Sequence, residues 1–212
     1  MNAVQQKLEI EIKLKLECFP DYLKLVGFLG NPDSEEHQIN AFFDSEAHTL
    51  LKSGWGLRVR AENNRGLVTL KGSSGTDVDM AVIREEIEEE VSRGLALAII
   101  NLETDILSVE VSPIAQIRTR YPDLAPARLV RFENQRLCKH HRIGDYQYLF
   151  ELDKTEFADG SCDYELEMEV EQQEQVGVVV ESLRRLFASL NIPFERQPET
   201  KFARALARTG RF

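Results

Sequence analysis

Between Leu8 and Leu16 the chain alternates aliphatic and charged residues without a slip. Leu8, Ile10, Ile12, Leu14 and Leu16 fall on one parity, and Glu9, Glu11, Lys13 and Lys15 on the other. A period of two marks a strand with one buried face, because successive side chains point to opposite sides. The pattern recurs and predicts further strands over 38–44, 56–61, 67–71, 80–91, 129–140, 146–157 and 163–171. Glu62-Asn63-Asn64-Arg65-Gly66 and Arg142-Ile143-Gly144-Asp145 read as hairpin turns, with glycine where a positive φ is needed. Strands in hairpin order predict an antiparallel sheet or a closed barrel.

Helical spacing appears at 21–29, 95–107 and 174–190, and a last helix is predicted to begin near Pro198. The stretch 112–126, with Pro113, Pro122 and Pro126, reads as a connector. Internal repeats and a convincing linker are both missing from the sequence. One α+β domain over 1–212 is therefore expected, with a helical insertion around 92–126.

The charged parity carries the chemistry. Arg58 and Arg60 oppose Leu57 and Val59; Thr69 and Lys71 oppose Val68 and Leu70. Arg84, Glu86, Glu88 and Glu90 oppose Ala81, Ile83, Ile87 and Val91, while Glu165, Glu167, Glu169 and Glu171 oppose Tyr164, Leu166, Met168 and Val170. Glu151 and Asp153 share a parity as well. Two architectures produce this pattern: an open sheet that solvates its charges, or a barrel turned inside out, with helices over an apolar exterior and charges lining a wet bore. Unit charges ~4 Å apart interact by roughly 4 kcal/mol at an effective dielectric of 20, so a bore of one sign would oppose folding. Mixed strands relieve that. Such a lining suits a polyanion on its basic side and a hard divalent cation on its acidic side.

Composition narrows the partners. The net charge of -10, with 42% hydrophobic and 29% charged residues, describes a globular chain and argues against nucleic acid or an anionic membrane as partner. Cys18, Cys138 and Cys162 are too few and too scattered for a disulfide framework or a zinc site, which points to a reducing compartment. The strand pattern begins almost at once, and no apolar run approaches the ~20 residues of a membrane span, so the expected location is cytoplasmic. His140 and His141 project to opposite faces and make a poor chelate; Trp55 shares parity with Leu57 and is placed outside the bore. A GxxxxGK phosphate loop is missing from the sequence.

Taken in order, seven motifs resemble the CYTH domain, or triphosphate tunnel metalloenzyme, family. They are Glu9-Ile10-Glu11-Ile12-Lys13, the QINAFFDS run from Gln38 to Ser45, LRVR with Arg58 and Arg60, VTLKG with Lys71, REEIEEE with Arg84, Glu86 and Glu88, YELEMEV with Glu165 and Glu167, and TKFARAL with Lys201. The resemblance implies an eight-stranded antiparallel barrel forming a tunnel, and hydrolysis of triphosphates that depends on Mg2+ or Mn2+. It implies that Lys13, Arg58, Arg60, Lys71, Arg84, Arg136 and Lys201 hold phosphate, with Arg131 competing with Arg136 in its strand. It further implies that Glu9, Glu11, Glu86, Glu88, Asp153, Glu165 and Glu167 hold metal, and that Glu9, Glu11 and Lys13 are catalytic. The expected partner is a small-molecule triphosphate. Class IV adenylate cyclase is the family's sister activity, and a non-catalytic polyphosphate-binding barrel is a third reading. The stretch from Val91 to Pro126 is longer than in compact members, giving a helical lid or a homodimer surface.

Overall fold

The computed structural model of the chain describes residues 5–72, 76–78 and 80–210. The strands are β1 (Gln5–Leu16), β2 (Ser34–Asp44), β3 (Trp55–Glu62), β4 (Arg65–Gly72), β5 (Thr76–Val78), β6 (Ala81–Ser92), β7 (Ala127–Ile143), β8 (Tyr146–Glu156), β9 (Cys162–Glu169) and β10 (Glu195–Arg196). The helices are α1 (Phe19–Leu29), α2 (Thr49–Lys52), α3 (Arg93–Ile100), α4 (Ser112–Arg120), α5 (Val176–Ser189) and α6 (Lys201–Ala207). Antiparallel pairing runs β1, β9, β8, β7, β2, β3, β4, β6 and returns to β1. That return closes an eight-stranded barrel and leaves it no free edge. β5 and β10 are short additions along β6 and β1, too brief to leave a periodic trace in the sequence.

Closure is inside out. Ile12, Leu14, Leu16, Phe150, Leu152, Leu166 and Met168 point outward and are buried under α1 and α5 with Leu25, Val179, Leu183 and Phe187. On the opposite wall, Ala41, Leu57, Val59, Val68 and Leu70 pack beneath α3 and α4 with Ala96, Ile99, Ile114 and Ile117. β1, β2, β3, β4, β8 and β9 thus hide their aliphatic parity under helices, and burying one such side chain is worth about 1.5–3 kcal/mol. Leu8, expected on this face, lies outside the residues whose side chains are described. α6 closes one end, where Phe202, Ala205 and Leu206 meet Val130, Phe132 and Phe157.

The helical insertion differs from its expected form. The helix predicted over 95–107 ends at Ile100, Leu102 adopts a positive φ of 66°, and the chain resumes in a single 3-10 turn at Ile106–Ser108. The stretch expected as a connector contains α4, because Pro113 stands in its first turn, where a missing N–H costs nothing. Gly144 has the positive φ expected of its turn, whereas Gly66 serves another purpose. A Cβ at Gly66 would lie 2.4 Å from Ala96 Cβ and 2.9 Å from Ser92 O, so glycine lets α3 press onto β4. Among the described residues, no helix is long and apolar enough to cross a membrane.

Candidate active site

The bore encloses a cavity of about 590 Å3. On its basic wall β3 and β4 run side by side, so that Arg58 faces Thr69 across the ladder, with Glu88 of β6 beyond. Arg58 donates from Nη2 to Thr69 Oγ1 at 3.2 Å and Glu88 Oε2 at 3.3 Å, and Thr69 donates to the same carboxylate at 2.7 Å. Arg60 donates to Asn40 Oδ1 at 2.9 Å and has Glu62 3.6 Å away. Lys71 contacts Glu9 and lies 3.1 Å from Glu86. The Nε–H groups of Arg58 and Arg84 are buried without an acceptor. This wall therefore holds more guanidinium hydrogen-bonding capacity than the protein itself uses, which suits an anionic ligand.

The acidic side comes from β1, β8 and β9. Asp153 receives a forked pair from Arg136, Nε to Oδ1 at 2.8 Å and Nη2 to Oδ2 at 2.7 Å, and the same guanidinium reaches Glu151 at 2.6 Å and Glu167 at 2.5 Å. A buried amide layer fixes this group in turn. Asn134 donates from Nδ2 to Asp153 Oδ1 at 2.9 Å and to Gln38 Oε1 at 3.0 Å, while Thr155 donates to Asn134 Oδ1 at 2.9 Å. Lys13 joins from β1, 3.2 Å from Glu11 and hydrogen-bonded to Glu167. From α6, Lys201 reaches Asp153, Glu165 and Glu167, and Arg204 donates to Glu165 Oε2 at 2.7 Å.

Burial and pairing pull the ionisable groups in different directions. Burial raises the carboxyls of Asp153 and Glu167, but Arg136 and Lys201 at the first, and Lys13, Lys201 and Arg136 at the second, outweigh it and hold both below the ordinary range. At Glu11 burial prevails over Lys13, helped by Glu167 and Glu9, and the carboxyl is raised. Burial also pushes Glu151 up to about 7 despite its contact with Arg136. Arg60 is brought down to about 10 by burial and by the like charges of Arg58 and Arg136, so it stays cationic at neutral pH. Burial opposes the charge of Lys71 as well, yet Glu11, Glu9 and Glu86 raise it overall.

The residues picked out by parity thus converge. Glu9, Glu11, Lys13, Arg58, Arg60, Lys71, Arg84, Glu86, Glu88, Arg136, Glu167 and Lys201 line the cavity, and Asp153 and Glu165 stand behind Arg136 and Lys201. Arg136 is the inward arginine of β7; Arg131 is exposed and pairs with Glu133 on the outside. Trp55, expected outside the bore, packs against the outer apolar cluster under the guanidinium of Arg120 but also lines the cavity. His140 binds Asp33, while His141 turns to Phe28 and Phe150. The structure divides the expected acidic set: Glu86 and Glu88 are engaged by Lys71, Arg58 and Thr69, whereas Asp153, Glu165 and Glu167 bring oxygens within 4.8 Å of one another. Arg204 and Glu151 were not among the expected residues. The signals for them are helical spacing of three from Lys201 and strand parity with Asp153.

These donors fit a divalent ion. Every candidate ligand is a carboxylate oxygen, the class preferred by magnesium and manganese over zinc. Glu9 Oε2, Glu11 Oε2 and Glu165 Oε1 are buried and accept no aligned hydrogen bond, only ionic contact with Lys71, Lys13 and Lys201. They retain coordinating capacity.

No curated protein matches the chain. A solved structure of HpAC1 from Hippeastrum, proposed as an adenylyl cyclase and described with a dominant triphosphatase activity, is 26% identical and superposes with a TM-score of 0.80 over 96% of this chain and 97% of that one. A Bacillus halodurans protein proposed as an adenylate cyclase shares the fold at 20% identity and a TM-score of 0.72, covering 94% and 97%. PH1819 of Pyrococcus horikoshii OT3 does so at 16% and 0.60, covering 93% and 99%. The model of the CYTH domain matches residues 7–203. With that match spanning nearly the whole chain, and the closed charged barrel beneath it, the chain belongs to the CYTH domain family.

Proposed function

We propose that the chain is a metal-dependent triphosphatase that cleaves the terminal phosphoanhydride of inorganic tripolyphosphate or of a small organic triphosphate such as thiamine triphosphate. The observation that carries this reading is the pairing, inside one closed bore, of arginines with unused N–H groups and carboxylates whose buried oxygens are met only by lysine ammonium groups. A barrel that only stored polyphosphate would need the first and not the second. The Hippeastrum neighbour's described triphosphatase activity supports the same reading.

In this account Arg58, Arg60, Lys71 and Arg84 grip phosphate oxygens from one side, and Lys13, Arg136 and Lys201 from the other. Arginine supplies forked donors and lysine a compact charge. Glu9, Glu11, Asp153, Glu165 and Glu167 would hold the divalent ion. When bound, the ion offsets phosphate charge and helps to activate an attacking water. Glu86 and Glu88 hold Lys71 and Arg58 in place until phosphate replaces them. Gln38, Asn134 and Thr155 keep Asp153 from turning, so its oxygens are presented without reorganisation.

The deciding experiment incubates the purified protein with tripolyphosphate, thiamine triphosphate or ATP, with and without Mg2+ or Mn2+. Metal-dependent release of orthophosphate is the expected result. Cyclic AMP from ATP would replace the proposal with the cyclase reading, and binding without any product would replace it with a non-catalytic barrel.

A further inference from the structure

Among the described residues, the three carboxylates that bring oxygens within 4.8 Å of one another are already engaged by a cation of the protein itself. Lys201 Nζ is 2.7 Å from Asp153 Oδ2, 2.8 Å from Glu167 Oε1 and in contact with Glu165 Oε1. Asp153, Glu165 and Glu167 each bring one oxygen within 4.8 Å of the others, so an ammonium and a divalent ion compete for the space among them. Lys201 is the first residue of α6, whose next residue, Phe202, stacks on Phe42 with ring centroids 4.4 Å apart and planes 7° from parallel. One turn on, Arg204 of the same helix takes the other oxygen of Glu165 and pairs with Asp163 at 2.8 Å. The helix that closes this end of the bore is therefore fastened to it through the carboxylates that metal would recruit.

We propose that Lys201 is a tethered competitor of the divalent ion, so that metal occupancy and the docking of α6 oppose each other. Metal that enters the group of Asp153, Glu165 and Glu167 displaces Lys201, weakens the hold of Arg204 on Glu165 and releases the plug; α6, when docked, lowers metal affinity by the same factor, as linkage requires. The inference rests on the metal-dependent reading of the site given above.

The test titrates the full chain with Mn2+ by calorimetry and follows amide hydrogen exchange across α6. In the wild type, Mn2+ is expected to speed exchange in α6. Lys201→Met is expected to bind Mn2+ more tightly by about tenfold, inside the roughly 5–150-fold range of such couplings. Phe202→Ala leaves every carboxylate in place and weakens only the plug, and it too should tighten Mn2+ binding several-fold; it serves as well if Lys201→Met does not fold. Equal affinity in wild type and Phe202→Ala, or α6 exchange that is unchanged or slowed by Mn2+, overturns the proposal even if Lys201→Met binds more tightly. Tripolyphosphate hydrolysis by the wild type, measured in parallel, reports separately on the proposed function. Turnover with no response of α6 rejects the coupling alone, and metal-driven release of α6 with no turnover of any triphosphate rejects the function alone.

Discussion

Arg131 and Arg136 lie five residues apart on β7 and differ only in parity, which makes them a paired test of the inside-out barrel. The side chain of Arg136 is 8% exposed and serves Asp153, Glu151 and Glu167; that of Arg131 is 41% exposed and serves Glu133, itself 39% exposed. Truncating one member of a buried ion pair costs about 3–5 kcal/mol, because the remaining charge keeps its desolvation penalty and loses its partner. An exposed pair is worth about 0–1 kcal/mol. At roughly 2–4 °C per kcal/mol for a domain of this size, Arg136→Ala should lower Tm by roughly 6–20 °C and Arg131→Ala by at most about 4 °C. Urea denaturation and a thermal melt at pH 7 measure both. The gap has a sign in pH. Asp153 and Glu167 are held low in the folded state, so their stabilising contribution is present above the ordinary carboxylate range and is lost as pH falls through the folded values. The difference between wild type and Arg136→Ala should therefore be widest above about pH 5 and narrow below it. Equal effects of the two substitutions, or a gap that widens in acid, would refute the placement of these charges inside.

Glu151 gives the opposite pH sign. Its folded pKa of about 7 lies above its unfolded value, so its contribution favours the folded state at low pH and is lost as pH rises through 7. The stability of Glu151→Gln relative to wild type should accordingly increase between pH 4.5 and 7, as read by urea midpoints across that range. Glu9→Gln should reduce tripolyphosphate turnover by about 100-fold or more while leaving tripolyphosphate binding largely intact; full turnover at limiting metal would remove Glu9 from the role given to it. Arg58→Ala should weaken substrate binding by about 10–150-fold, the equivalent of one or more charged hydrogen bonds at about 1.5–3 kcal/mol, seen as a rise in KM or in a titrated Kd. Gly66→Ala forces a methyl into Ala96 and the Ser92 carbonyl, and a loss of about 1–3 kcal/mol in urea denaturation is expected; no loss would mean that α3 does not press on β4.

The eight long strands and the inward set of charges were legible in the sequence because both follow from a period of two held over many residues. What the alternation could not convey was which way the sheet closed. The barrel is settled by β1 pairing with β6 as well as β9, a contact between distant parts of the chain. The arginine of β7 was ambiguous because the strand's basic motif is weak, its nearest fit being Asn134-Gln135-Arg136, and its charges fall on both parities, Arg131 on one and Arg136 on the other. Arg204 reaches Glu165 by helical spacing from Lys201, a period that the strand count does not register. α4 was hidden by its prolines, which open and follow the helix instead of breaking it. β5 and β10 are shorter than any period can register.

A polyanion is predicted to bind inside the bore and not on the outer surface. Calorimetric titration of the protein with tripolyphosphate tests it most directly, comparing wild type with Arg60→Ala and Arg131→Ala. Arg60 is a largely buried cation that lines the cavity and, among the described residues, hydrogen-bonds only Asn40, with Glu62 3.6 Å away, whereas Arg131 faces solvent on the opposite side of the wall. The account predicts binding weakened by at least about tenfold in Arg60→Ala, one charged hydrogen bond's worth, and unchanged in Arg131→Ala. Equal affinity in all three proteins, or loss only in Arg131→Ala, would contradict it.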